Sequence, residues 1–158
     1  MRYFLIDKVL ELKTGESARG VKCVTLSDQI LHDHFPDYPT MPGALILEAS
    51  AQLAGFLLEM TLNKEGKPPR RALLVQIQSA KFHEAAGPGD RLDISVKLES
   101  NLDSAAQITT EVFVEEKRIV RAKMTFMMRR IDSERVHKQR RYLYQLWTRD
   151  FSPPLTIL

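Results

Sequence analysis

The sequence predicts an α+β fold in which one curved antiparallel sheet wraps a single buried helix. Two observations lead there. Residues 44–62 (ALILEASAQLAGFLLEMTL) are apolar at thirteen of nineteen positions and rich in the helix formers Ala and Leu. Six stretches with strand character surround this segment, two before it and four after it. One helix beside a run of strands is the α+β pattern. Strands apolar on one side only can close over a helix that is apolar on nearly every side.

Each element has its own signal. Residues 3–12 and 20–26 are the first two strand candidates. Pro42 and Gly43 precede the helix, where proline is tolerated because the first helical N–H groups have no partner. The polar run 63–71 (NKEGKPPRR) ends it. Residues 72–83 form the third candidate strand. Leu92, Ile94, Val96 and Leu98 then alternate with Asp93, Ser95, Lys97 and Glu99, a half-buried strand. Residues 106–114 continue in the same style, and Val120, Ala122, Met124, Phe126 and Met128 alternate again. Turns fall at residues 87–90 (GPGD) and at Glu115, Glu116 and Lys117. Past residue 131 the strand pattern stops. Residues 135–147 suit a short helix with Val136, Leu143 and Trp147 on one side, ended by Pro153 and Pro154. The expected organisation is one domain over 1–131, then a basic and aromatic extension over 132–158, part helical.

Composition excludes several classes. The 158 residues, 44% hydrophobic, suit one folded domain rather than a disordered chain. A net charge of +3 is too small to argue for nucleic acid. Glu48, Gln52 and Glu59 argue against a membrane span in the apolar segment. The single Cys23 forms no internal disulfide, and the charged opening MRYFLIDKVL lacks the apolar centre of a secretory leader. A cytoplasmic protein is expected. His32, His83 and His137 have no metal-site spacing and read as structural or surface residues, so no metal is expected.

The chemistry concentrates in residues 32–52 (HDHFPDYPTMPGALILEASAQ). Prolines at 36, 39 and 42 suit a rigid extended path that sets His34 near the helix entrance. Glu48 sits one turn inside an otherwise apolar helix, where burial would disfavour its charged form and raise its pKa. A protonated carboxyl suits a general acid, and His34, with an ordinary pKa near 6.5, suits a base. Such a pair has the right types for taking a proton at one carbon and delivering one at its neighbour. A capped helix with a satisfied polar pair explains the same residues equally well. Gly43 lets a ligand approach the backbone, and its N–H at the helix start can hold developing negative charge.

The run HFPDYPTMPGALILEASAQ resembles the signature of bacterial 3-hydroxyacyl-[acyl-carrier-protein] dehydratases, the FabZ-like branch of the hotdog-fold superfamily. The family pattern is approximately GHFPGxPxMPGVLxxEAxAQ. It is matched by His34, Phe35, Pro36, Pro39, Met41, Pro42, Gly43, Leu45, Glu48, Ala49, Ala51 and Gln52. YFLIDKVLEL and AKFHEAAGPGDRLDISVKL resemble two further family stretches, so the likeness covers roughly residues 3–130. Asp33 and Asp37 stand where glycine is usual, and Ala44 where valine is usual.

The resemblance implies a hotdog fold and the conversion of a (3R)-hydroxyacyl thioester on acyl carrier protein to the trans-2-enoyl thioester. His34 would be the base and Glu48 the acid, facing each other across a homodimer interface. The Gly43 N–H would bind the thioester carbonyl, and Gln52 would hold the Glu48 carboxyl, with Pro42 and Phe35 supporting. It implies no cofactor, and a dimer that can assemble into a trimer of dimers. The missing leading helix leaves one end of the acyl tunnel more open. The departures put the ordinary fatty-acid substrate in question and fit a specialised lipid or polyketide pathway. Arg129, Arg130, Arg135, Lys138, Arg140 and Arg141 offer a docking patch for an acidic carrier protein, beside the plainer reading of a solvated helix face. A hotdog thioesterase and a non-catalytic acyl-binding subunit are the competing readings.

Overall fold

The computed structural model describes residues 3–102 and 105–158. The element order is β1 (Lys8–Lys13), β2 (Ser17–Cys23), a short 3₁₀ turn (Gln29–Leu31), α1 (Gly43–Leu62), β3 (Arg70–Phe82), β4 (Arg91–Leu102), β5 (Ala105–Val114), β6 (Lys117–Arg130) and α2 (Glu134–Trp147). The strands form one six-stranded sheet in the order β1-β2-β4-β5-β6-β3, with every neighbouring pair antiparallel. This is the expected α+β architecture.

Alternation decides which face of the sheet meets α1. Leu92, Ile94 and Val96 on β4, Ile108 and Val112 on β5, and Val120, Met124 and Phe126 on β6 are all buried. They close on Ile46, Leu53, Phe56, Leu57 and Leu58 of α1. The helix lies close on β2 because Gly20 has no side chain: a Cβ there would stand 3.2 Å from Leu53 Cδ1. By length and composition α1 is apolar enough to cross a membrane, but 61% of that window is buried within the fold, as in a core helix.

Of the strand boundaries that differ from the sequence expectation, three have a clear local reason. The first strand begins at Lys8 rather than residue 3, because the Gln52 side chain takes the backbone of this segment. Its Oε1 accepts from the Leu5 N–H at 3.0 Å, and its Nε2 donates to the Tyr3 carbonyl at 3.1 Å. The second strand runs Ser17–Cys23 rather than 20–26. Beyond it Thr25 N–H donates to the Asp28 carboxylate at 3.2 Å, and the chain turns. The third strand starts at Arg70, whose N–H and C=O are both bonded by the Asn63 side-chain amide just after α1.

The residues after 130 pack on the core. α2 is capped at its N-terminus by Ser133, whose hydroxyl accepts from Val136 N–H. Leu143, Tyr144 and Trp147 are buried. The Tyr144 ring meets Phe56 of α1 edge-on at 4.9 Å and Trp147 at 5.4 Å. Lys8 and Asp150 pair at the surface, tying the chain beyond α2 to the edge strand β1.

Candidate active site

The loop between the 3₁₀ turn and α1 carries His34. The residue is half-buried, and its ring stacks on Phe35 at 4.3 Å between centroids. Its Nδ1 lies 2.8 Å from the Thr40 carbonyl. A carbonyl only accepts, so Nδ1 carries the hydrogen in neutral His34 and Nε2 keeps its lone pair. The loop is tightly self-bonded: Thr40 N–H donates to the His34 carbonyl at 2.7 Å, and Phe35 and Tyr38 exchange backbone bonds at 3.0 Å. Met41 N–H, bonded to the Ala86 carbonyl at 2.8 Å, fastens the loop to the turn before β4.

Pro42 is the N-cap residue of α1, with φ −56° and ψ 130°, and Gly43 is the first helical residue. The Gly43 N–H has no acceptor among the described residues, as expected of the first helical positions. A Cβ at Gly43 would stand 2.6 Å from the Phe82 ring, so glycine is what lets that ring lie against the helix start.

Glu48 is half-buried, and its Oε1 accepts from Gln52 Nε2 at 3.0 Å. The deep burial expected of Glu48 belongs instead to Glu59. The reason is periodicity. Glu48, Gln52, Gly55 and Glu59, spaced four, three and four apart, form one stripe along α1. The stripe faces a groove at its Glu48 end and is sealed at its Glu59 end. Glu59 is 3% exposed and Arg71 1% exposed, and they pair at 2.8 Å. Ala72 N–H donates to the other Glu59 oxygen at 3.1 Å. Arg71 also donates to His137 Nδ1 at 2.9 Å, while His137 Nε2 donates to the Ile131 carbonyl at 2.8 Å. This fixes the neutral tautomer of His137, since a guanidinium has only donors. Two carboxylates and a glutamine at helical spacing in an apolar segment were the signal for this stripe. Its partners on β3 and α2 lie far off in sequence.

The groove has a volume of about 370 Å³. Besides the stripe it is walled by β3 at Leu73 and Leu74, and by Val136, Gln139 and Leu143 of α2. Thus α2 forms one wall of the groove that Glu48 lines. Tyr3, missed by sequence reasoning, also lines it. Partial burial, and then the negative charge of Glu48, hold the Tyr3 phenol above its ordinary pKa.

No hydrogen bond or ion pair joins His34 to Glu48 among the described residues. Among the described residues the region offers an imidazole whose Nε2 is unbonded, a carboxyl oriented by an amide, and a helix-start N–H without an acceptor.

Comparison with known proteins gives the family. The FabA-like domain model matches residues 1–123. The 3-hydroxyacyl-[acyl-carrier-protein] dehydratase FabZ of Lactobacillus helveticus is 40% identical over 123 residues, 78% of this chain and 81% of that protein. The protein of the same name from Campylobacter lari is 33% identical over 127 residues, covering 80% and 87%. That of Gluconobacter oxydans is 46% identical over 99 residues, and there the match spans 57% of the relative's length. Among solved structures, smu.793 of Streptococcus mutans, bound to acetyl CoA, superposes with a TM-score of 0.63 at 16% identity, covering 83% of this chain and 96% of that one. A hypothetical thioesterase protein of Streptococcus pneumoniae with coenzyme A gives 0.61 at 13% identity, covering 80% and 88%. At such identities the structures attest the hotdog fold alone. The sequence relatives go further: this chain belongs to the FabA-like family, alongside dehydratases named FabZ.

Proposed function

We propose that the protein removes water from a (3R)-hydroxyacyl thioester carried on acyl carrier protein, giving the trans-2-enoyl thioester. The observation that carries this reading is the oriented pair of proton-transfer groups: His34 held through Nδ1 by Thr40, and Glu48 held through Oε1 by Gln52. The relatives named as dehydratases of this substrate class support it.

The thioester carbonyl accepts from the Gly43 N–H, which makes the C2 proton more acidic and holds the charge of the enolate. His34 Nε2 takes that proton. The C2–H electrons form the C2=C3 bond as the C3–O bond breaks, and protonated Glu48 delivers its proton to the departing hydroxyl, which leaves as water. Imidazolium and carboxylate remain, and transfer of one proton between them through solvent restores the site. Holding both groups beside C2 and C3 removes much of the entropy cost of bringing them together.

The site is shared in a homodimer, with His34 of one protomer facing Glu48 of its partner. In support, β3 is an edge strand of the sheet, and Leu73, Leu74, Val75 and Ile77 along it are exposed. An exposed apolar edge is a template for a second copy. Dimers can pair further into a trimer of dimers. The carrier protein, being acidic, is received by exposed Arg129, Arg130, Arg135 and Lys138 at the end of β6 and on α2. Residues 1–131 are the catalytic unit and 132–158 its extension. An exposed free thiol at Cys23 suits the cytoplasm.

The test is hydration of trans-2-enoyl thioesters on carrier protein, the reverse reaction. Glu48→Gln and His34→Ala are each expected to lower kcat/KM by about 10²–10⁴-fold while the folded protein remains. Near-normal turnover by either variant would sink the assignment. Release of free thiol without hydration would favour a thioesterase.

A further inference from the structure

The groove that begins at Glu48 is closed at its other end. It runs along α1 past Gln52 and Gly55 to Glu59, eleven residues and about 16 Å at the helical rise. Its sides are largely apolar, with Ala51 on α1, Ala72 and Leu74 on β3, Phe126 on β6 and Leu143 on α2. Further along α1 lies a second cavity of about 140 Å³, lined by Met60, Asn63, Arg71 and residues 156–158. Glu59 and Tyr144 line both cavities and so form the wall between them. Three elements hold this wall. Glu59 of α1 pairs with Arg71 of β3 at 2.8 Å and accepts from the Ala72 N–H at 3.1 Å, and Arg71 donates to His137 Nδ1 of α2 at 2.9 Å. The Tyr144 ring meets Phe56 edge-on at 4.9 Å. Glu59, Arg71 and Tyr144 are all buried. α2, which brings His137 and Tyr144, follows residue 123, the last of the FabA-like match.

An alkyl chain is stabilised on the apolar sides of the groove by leaving water. At the wall it meets a buried ion pair. To go further it would have to part that pair and leave a charge unpaired beside hydrocarbon. We propose that the Glu59–Arg71 pair and α2 form a stop that limits the length of acyl chain the enzyme accepts. The proposal rests on the dehydratase reading, which sets C3 of the substrate at Glu48. The carbons beyond C3 then run along the groove that Glu48 lines. An extended chain advances roughly 1.2 Å per bond, one third of the span of a three-bond residue. The groove therefore takes about thirteen bonds beyond C3, which places the limit at about sixteen carbons. Gly55 lies on the path. A Cβ there would meet the Ala72 Cβ at 3.7 Å, an ordinary contact, and nothing else among the described residues within 4 Å, so a larger side chain has room in the groove. Leucine is also a better helix former than glycine, so Gly55→Leu blocks the groove without weakening α1.

The experiment measures kcat/KM for hydration of enoyl thioesters of four, twelve and twenty carbons on carrier protein, with the full-length protein. The wild type is expected to favour twelve carbons over twenty by about tenfold or more, since a filled apolar pocket discriminates by about that factor for each methylene it has no room for. Gly55→Leu should lower the ratio of twelve carbons to four by about tenfold. Tyr144→Ala joins the two cavities and should raise the ratio of twenty carbons to twelve. If Tyr144→Ala does not fold, Val136→Trp takes its place: it thickens the groove wall from α2 and should lower the ratio of twelve carbons to four. A wild-type profile that does not fall by twenty carbons overturns the proposal, and so does an unchanged profile in a folded variant. Hydration of all three lengths alike leaves the dehydratase reading standing without the stop. No hydration at any length removes that reading. In that case calorimetric binding of the same thioesters decides the length limit, with equal affinity at twelve and twenty carbons counting against it.

Discussion

Arg71 is bound on both sides. Its guanidinium pairs with Glu59 at 2.8 Å and reaches His137 Nδ1 at 2.9 Å, joining α1, β3 and α2. A charge pair this deep is worth little net but costs about 3–5 kcal/mol when one partner is removed, because the other is left buried and unpaired. Arg71→Met should therefore lower the unfolding free energy by that amount in chemical denaturation, and adding Glu59→Leu should recover most of it. Equal stability of Arg71→Met and the wild type would show that the pair is not sealed in solution. Tyr144 gives a second test. Burial, and then the Glu59 charge, hold its phenol well above the ordinary value of 10.0. The folded state keeps a proton that the unfolded chain releases near pH 10, so this stabilisation is complete below about pH 10 and is lost as the pH rises through the folded value. In alkaline titration monitored by tyrosinate absorbance, Tyr144 should ionise only with loss of the folded state, and Tyr144→Phe should flatten the fall in stability above pH 10.

At the scale of elements, α2 is the one whose role is least like its composition. It is mostly polar, yet its Leu143, Tyr144 and Trp147 enter the main core and its Val136 and Gln139 wall the groove at Glu48. Trp147 is 1% exposed and packs edge-on against Phe56 and tilted against Tyr144. Trp147→Ala should cost about 3–5 kcal/mol, read as a lower midpoint in a denaturation curve. A loss under about 1 kcal/mol would mean that α2 detaches readily in solution, since surface truncations stay in that range. The helix was legible from Val136, Leu143 and Trp147 at helical spacing. Its place against α1 was not, because the groups that hold it, Phe56 and Arg71, lie on other elements and give no local pattern.

For the whole molecule, the proposed sharing of His34 and Glu48 between protomers has a direct consequence. Mixing His34→Ala with Glu48→Gln protein after unfolding and refolding together should restore about one quarter of wild-type activity. Half of the dimers are then mixed, and each has one intact site of two. No recovery would place both groups in one protomer's site. Much of the molecule was readable in advance. Alternation on β4, β5 and β6 predicted their buried faces, and the apolar segment predicted α1, because these follow from periods of 2 and 3.6 along a single chain. His34, Gly43, Glu48 and Gln52 stood out in the sequence because one loop and the first turns of one helix carry them all; of these the structure joins Gln52 to Glu48. The boundaries at Lys8, Cys23 and Arg70 were not, since side chains of Gln52, Asp28 and Asn63 bond the backbone there. Sequence alone also assigned the anomalous buried carboxylate to Glu48. Only the packed structure moved it to Glu59, because burial is set by which neighbours close over a residue: Arg71 and Ala72 reach Glu59 from β3, while Glu48 faces the groove. Period and composition thus determined the fold class, the resemblance of residues 34–52 to a dehydratase signature pointed to the kind of chemistry, and tertiary contacts decided which carboxylate is sealed and which faces the groove.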